Sequence, residues 1–271
     1  MKEIREAGDD LSALKSKGRT LGATIDMYVT DRIREVGRTK EQLLRSIKEY
    51  DIADMPCNEI QSHHLVEFAK SLGATRTPAT VGNYMSHLSS VFALARPAWE
   101  IPLDQQAMKD AFVVCTRLGI TRKAIKRDHH PSLDELNRLP ALFADKHRRR
   151  PKSLPMDCIV AFTPFSTRRK DEITRVTWNG LNQTYSRAFV NDMKHPGDKV
   201  GNDVWCDLPA QARATAQAMP KNSPIVLPNK GDTISATFTR ARKLLAIDDL
   251  RFHDLRHEGL TRLFEIGETI P

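Results

Sequence analysis

Between Thr20 and Pro97 the apolar residues return every three or four positions, and each recurrence follows a residue able to start a helix. That spacing lines one face of a helix and excludes strands, whose inward residues alternate. Thr20 caps a first helix with Leu21, Ile25, Tyr28, Val29 and Ile33 inward, interrupted at Gly37. Thr39 and Gln42 form a T-x-x-Q capping box for a second, carrying Leu43, Leu44, Ile47 and Tyr50. After a connection from Asp51 to Asn58, Ser62 caps a third, with Leu65, Val66, Phe68, Ala69 and Leu72, closed by Gly73. Thr77-Pro78 opens a fourth, with proline at the first helical position, where its missing N–H costs nothing. Its face is Val81, Tyr84, Met85, Leu88, Val91 and Phe92, and Pro97 stops it. Pro102 to Arg117 adds a helix through Met108, Phe112 and Val113. Amphipathic helices joined by short connections make a compact bundle.

The chain then changes character. Arg117, Arg122, Lys123, Lys126 and Arg127 surround Gly119 and precede Pro131. Such a run suits a linker, either solvated or lying along a phosphate backbone. Ser132 and Glu135 form an S-x-x-E capping box ahead of Leu133, Leu136 and Leu139, where a second domain begins. It continues with a very basic stretch, Lys146 to Lys152, and an apolar helix from Leu154 to Phe165. Strands are expected at Tyr185–Val190 and Val204–Leu208, joined by a polar loop holding Lys194 and Lys199. Pro224 to Leu227 suits a third strand, and helices are expected over Pro209–Met219 and Ser235–Ala246. The fold class is therefore mainly α with a small antiparallel sheet, α+β in arrangement. The boundaries fall at 1–18 for an N-terminal arm or helix, 19–117 for the helical domain, 118–131 for a basic linker and 132–271 for the mixed domain.

Charge narrows the partner. Lys and Arg number 42 against 34 acidic residues, a net +8, which favours a polyanion, with nucleic acid ahead of a membrane surface. No apolar run approaches the ~20 residues of a membrane span, and Met1-Lys2-Glu3-Ile4-Arg5-Glu6 lacks the apolar core of a signal peptide. The cysteines, Cys57, Cys115, Cys158 and Cys206, lie far apart with no C-x-x-C pair, as expected of reduced thiols in the cytoplasm. No glycine-rich phosphate loop and no metal-ligand spacing occurs, so neither cofactor nor metal is expected.

The chemistry gathers near the end, in Arg251-Phe252-His253-Asp254-Leu255-Arg256-His257-Glu258-Gly259-Leu260-Thr261-Arg262. As a helix it puts Leu255, Leu260, Leu263 and Phe264 inward and Asp254 near its positive end. His253 and Arg256, three apart, share a face, and imidazole and guanidinium together suit a phosphate. Alone, such a pair describes a solvated face as readily as a site.

That run resembles the H-D-L-R-H-T-x-A-T-x-L-x-x-x-G box of the tyrosine recombinase and phage integrase family. A second box aligns with it: Glu172, Ile173, Val176 and Trp178 fall where the family has S-E-L-x-x-L-x-W. The resemblance spans roughly residues 19–271, strongly in these two boxes. It implies an N-terminal helical core-binding bundle and a C-terminal integrase-type catalytic domain. It also implies duplex DNA as partner, cytoplasmic and nucleoid-associated, with self-association into a tetrameric synapse. Carried over by position, the catalytic residues are Arg169, Lys194, His253 and Arg256. Arg168 competes with Arg169, because the family usually has glycine two positions before its arginine and Thr167 stands there. Lys199 competes with Lys194. Contacts to DNA are expected from Arg122, Lys123, Lys126, Arg127, Arg168 and His257.

The family's chemistry fits these residue types. A tyrosine attacks a phosphodiester, forming a 3′-phosphotyrosyl bond and releasing a 5′-hydroxyl that later attacks a partner strand. Two guanidiniums hold the non-bridging oxygens, a histidine donates a further hydrogen bond, and a lysine protonates the leaving oxygen. The family's nucleophile follows its HDLRH helix after a G-H motif. Here the tyrosines are Tyr28, Tyr50, Tyr84 and Tyr185, all earlier. The expectation is a catalytic domain lacking its last helices. It would bind DNA without cleaving it and self-associate more weakly, or else be a natural regulator or decoy at recombination sites.

Overall fold

The computed structural model describes residues 18–31, 36–124, 129–182, 184, 186–193, 201–228, 230–265 and 267. They fall into two compact units, Met1–Lys126 and Arg127–Pro271.

The first unit contains α1 (Leu21–Thr30), α2 (Arg38–Ile47), α3 (Ser62–Gly73), α4 (Pro78–Trp99) and α5 (Gln105–Arg117), with a 3₁₀ turn at Asp51–Asp54. The inward faces interlock in one core, in which Leu21, Ile25 and Tyr28 meet Leu44, Ile47, Leu65, Leu72, Met85 and Leu88. Thr20 caps α1 through its hydroxyl, and Thr77 caps α4. Three local expectations are corrected. The second helix starts at Arg38 behind Gly37, with no side-chain cap, so Thr39 lies inside it. The cap of α3 is Gln61, whose backbone N–H donates to His64 Nδ1 at 3.1 Å, and Ser62 is already helical. Pro97 does not stop α4, which runs to Trp99 and ends where Glu100 turns left-handed (φ 55°).

The second unit is built around α7 (Met156–Ser166), a largely apolar helix that buries Met156, Ile159, Val160, Phe162, Thr163 and Ser166. Against it pack α6 (Leu133–Arg149), α9 (Ala210–Gln217) and α11 (Phe252–Glu265). The short α8 (Lys170–Ile173) and α10 (Gly231–Leu244) complete the helical part. The Ser132–Glu135 capping box of α6 forms in both directions.

Strands β1 (Leu181–Asn182), β2 (Arg187–Val190) and β3 (Val204–Asp207) form an antiparallel sheet in that order. Ala188 opposes Cys206 inward, while Phe189 opposes Trp205 outward. The third strand is thus Leu181–Asn182. Pro224–Leu227 contributes only a single bridge, Ile225 to Thr177. The inward stripe of α11 is also narrower than expected: Leu255 is buried, but Phe264 is 62% exposed. Phe252, Glu258 and Gly259 cover the core instead. All four cysteines are unpaired. No helix among the described residues is long and apolar enough to cross a membrane.

Candidate functional site

Both sequence boxes arrive at one pocket in the second unit, of about 410 Å³. The α7–α8 corner supplies Thr163, Arg168, Arg169, Lys170 and Asp171. The start of α11 supplies Arg251, Phe252, His253 and Arg256, and α10 contributes Ser235 and Thr239. The corner is shaped by Thr167, which ends α7 in the left-handed conformation (φ 51°, ψ 21°), with its N–H donating to Thr163 O at 3.0 Å. Glycine adopts that conformation freely, whereas a β-branched residue is strained there. Thr167 therefore holds this turn at a conformational cost that glycine would not bear.

Turning the chain at Thr167 sends its two arginines to different partners. Arg168 folds back: Nε donates to Ser166 O (2.9 Å), Nη2 to Thr167 Oγ1 (3.2 Å), and Nη1 to Cys206 Sγ (3.1 Å) and Met193 Sδ (3.5 Å). Arg169 is the N-cap of α8, donating from its backbone N–H and Nη1 to Glu172, each at 2.9 Å. Glu172 is 2% exposed. Burial pushes its carboxyl up, but the Arg169 hydrogen bonds and the charges of Arg169 and Arg168 outweigh this and hold it below the usual range.

From the other side, Arg256 donates from Nε to Thr167 O at 2.7 Å, which aims the guanidinium along the corner. Burial lowers its pKa, and the charge of Arg169 lowers it further. His253 is lowered likewise, first by desolvation, then by the positive charge of His257 and Arg256. Asp254, buried beside them, accepts from the Arg251 N–H at 2.8 Å and closes the first turn of α11. Desolvated cations held near one another are stabilised by an anion placed among them, and a phosphate diester matches both guanidiniums and imidazole.

The pocket thus gathers Arg168, Arg169, His253 and Arg256. His257 packs edge-on against the His253 ring, with centroids 4.7 Å apart, and does not line the pocket. Arg122 and Lys123 are exposed in the first unit. Lys194, Lys199, Lys126 and Arg127 lie outside the described residues. Sequence reasoning missed Lys170, Asp171, Ser235, Thr239 and Arg251. Lys170, Asp171 and Arg251 sit beside the recognised boxes and could have been found there. Ser235 and Thr239, four apart on α10, carried no signal of their own. No group of three or more metal-ligating side chains occurs among the described residues.

No family profile matches the chain. It is 28% identical over 266 residues to a shufflon-specific DNA recombinase of Escherichia coli, an alignment covering 92% of this chain. The chain spans 62% of that relative's length. Among solved structures it is similar to the Tn1549 transposon integrase in complex with a circular intermediate DNA. There the TM-score is 0.72 at 13% identity, covering 93% of this chain and 88% of the other. A lambda integrase dimer bound to a COC′ core site gives a TM-score of 0.68 at 15% identity, covering 92% and 91%. A lambda integrase tetramer bound to a Holliday junction gives 0.67 at 15% identity, covering 92% and 74%.

Proposed function

We propose that the chain is a member of the tyrosine recombinase and integrase family, and within it the DNA-binding and phosphate-cradling part of a site-specific recombinase. One observation carries the reading: Arg169, His253 and Arg256, from two distant boxes, line a single pocket. In it Arg169 and Arg256 hold the non-bridging oxygens of one phosphodiester, and His253 adds a hydrogen bond. Charge accumulates on those oxygens in the transition state, where preorganised donors contribute most. When a tyrosine oxygen attacks, the bond from phosphorus to the 5′-oxygen breaks. The departing oxygen takes its proton from Lys194, or from Lys199, leaving a 3′-phosphotyrosyl bond. Glu172 positions Arg169. Arg168, its donors satisfied by Ser166, Thr167, Met193 and Cys206, shapes the corner.

The attacking tyrosine is not among the described residues that line the pocket. Tyr28 and Tyr84 are buried in the core of the first unit, and Tyr50 Oη accepts from Arg76 at 2.7 Å. Tyr185 lies outside the described residues. On the proposed reading the chain binds duplex DNA and leaves it uncut, since none of the described tyrosines stands at the pocket. Assembly on paired duplexes belongs to the same reading.

The test compares two gels on one nicked duplex. A native gel is expected to show a complex that dissolves as salt is raised, and a denaturing gel no protein–DNA adduct. A covalent adduct would refute the uncut outcome. Absence of salt-sensitive binding up to about 100 µM protein near 50 mM salt would refute the whole reading.

A further inference from the structure

The stretch from Asp145 to Lys152 has no part in the pocket. Lys146, Arg148, Arg149, Arg150 and Lys152 give five positive charges. Less the single acid Asp145 they leave +4, half the chain's net +8 in eight residues. All five cations are exposed; the Arg148 and Arg149 side chains are 80% and 69% exposed. Asp145 pairs with both of these arginines and cannot neutralise the group.

Two structural explanations fall short. Cations at the C-terminus of α6 offset the helix dipole, but that needs one or two of them, each worth about 0.3–1 kcal/mol, and acts only within the last turn. Lys152 lies beyond the helix, after Pro151. Nor is the run a loosely solvated tail. Arg150 N–H donates back to Lys146 O at 2.9 Å, and Ser153 N–H donates to Arg150 O at 2.8 Å. His147 Nδ1 lies 3.3 Å from Asp157 Oδ1, tying the end of α6 to the first turn of α7. The cations are therefore held close together on an ordered ledge despite their repulsion, an arrangement that a polyanion relieves.

Placement adds a second constraint. The ledge adjoins the N-terminal end of α7 and the pocket adjoins its C-terminal end. The 11 residues of that helix separate them by about 16 Å. A separation of that size, under half of a ~34 Å duplex turn, is within the reach of a single DNA molecule. We propose that the Lys146–Lys152 ledge is a second, sequence-independent contact for the DNA backbone, outside the pocket. The proposal rests on the DNA-binding reading above. A ledge of flexible lysines and arginines with no base-reading element supplies affinity, not specificity.

The experiment uses the whole chain and a duplex of unrelated sequence, with affinity followed by fluorescence anisotropy as salt rises from about 50 to 200 mM. Each phosphate contact contributes about 0.9 to the slope of log K against log salt. The triple variant Arg148→Gln, Arg149→Gln, Arg150→Gln is expected to lower that slope by about 2 to 3. The corresponding triple lysine variant keeps it, because a phosphate needs charge and not a fork. Circular dichroism melts check that the variants fold alike. Separately, phenylglyoxal labelling read by mass spectrometry is expected to show Arg148, Arg149 and Arg150 protected when duplex is added to the parent protein. An unchanged slope in the glutamine variant, or equal labelling with and without DNA, overturns the ledge while leaving the pocket reading intact. A parent protein that binds no duplex overturns both.

Discussion

Arg256 Nε donates to the carbonyl oxygen of Thr167 at 2.7 Å, joining two segments 89 residues apart. This bond makes one pocket of two separate sequence boxes. It uses the guanidinium's inner N–H and fixes the direction of the outer fork. It also places Arg256 in partial burial beside Arg169, where its charged form is disfavoured. An anion beside the fork would offset that penalty.

Replacing Arg256 separates these contributions. Loss of a hydrogen bond with a charged donor costs about 1.5–3 kcal/mol. Arg256→Gln also removes a desolvated charge from beside Arg169, and this relief offsets part of the loss. The expected change in unfolding free energy, from urea denaturation, is below about 1 kcal/mol. The slope of duplex affinity against salt should fall by about one contact. A stability loss above about 3 kcal/mol with unaltered DNA binding would make Arg256 a structural residue.

Thr167 gives a prediction of opposite character. Its left-handed backbone costs a non-glycine residue roughly 1–2 kcal/mol. Thr167→Gly removes that strain, at the expense of the Arg168–Thr167 hydrogen bond and of a more flexible unfolded chain. The balance is expected within about 1 kcal/mol of the parent in either direction, although a residue only 5% exposed is being truncated. A midpoint shift in urea equivalent to more than about 2 kcal/mol of destabilisation would show that the strain is not there to be relieved.

Gly259 marks the crossing of α11 over α7. A Cβ there would come 2.8 Å from the Pro164 Cα and 2.7 Å from its carbonyl carbon, closer still to the carbonyl oxygen, with no side chain able to swing aside. Glycine to alanine inside an exposed helix stabilises by about 1 kcal/mol. Here the sign should reverse, with Gly259→Ala costing about 1–3 kcal/mol or more as the helices are pushed apart. Because α11 carries His253 and Arg256, duplex affinity should fall with it. Thermal melts and anisotropy on the same preparation check both. A stabilised variant would mean that the two helices do not cross this closely.

The sequence made the helices legible where caps and apolar spacing agreed. Thr20, Thr77 and the Ser132–Glu135 box start helices as expected. Elsewhere the same signals misplaced the helix ends by a residue or two. Thr39 and Ser62 are good capping residues that lie inside their helices, and Pro97 sits in a last turn that tolerates it. The short strand Leu181–Asn182 was missed because two residues cannot show a period. In the site, the shared face of His253 and Arg256 could be read from spacing, while Arg169 came from the family resemblance alone. The partition between Arg168 and Arg169 could not, since it depends on the φ of Thr167 and on sulfur atoms brought in by β3 and the segment after β2. Ser235 and Thr239 were equally silent, because their place in the pocket follows from how α10 packs.

His253 yields the final prediction, with its sign set by the direction of its shift. Desolvation, and then the charges of His257 and Arg256, hold the imidazole below its ordinary 6.5, with Asp254 opposing. The folded protein therefore binds this proton less readily than the unfolded chain. Its stability contribution is complete above 6.5 and declines as pH falls through that value toward the lowered folded one. A phosphodiester in the pocket acts in the other direction by favouring the imidazolium. Duplex affinity should thus rise as pH is lowered from about 8 to 5.5, while the stability of the DNA-free protein falls. His253→Gln should remove its share of both trends. Parallel pH series of urea melts and anisotropy titrations, parent against variant at fixed salt, provide the check. Identical affinity–pH curves for the two proteins would place His253 outside the phosphate's reach.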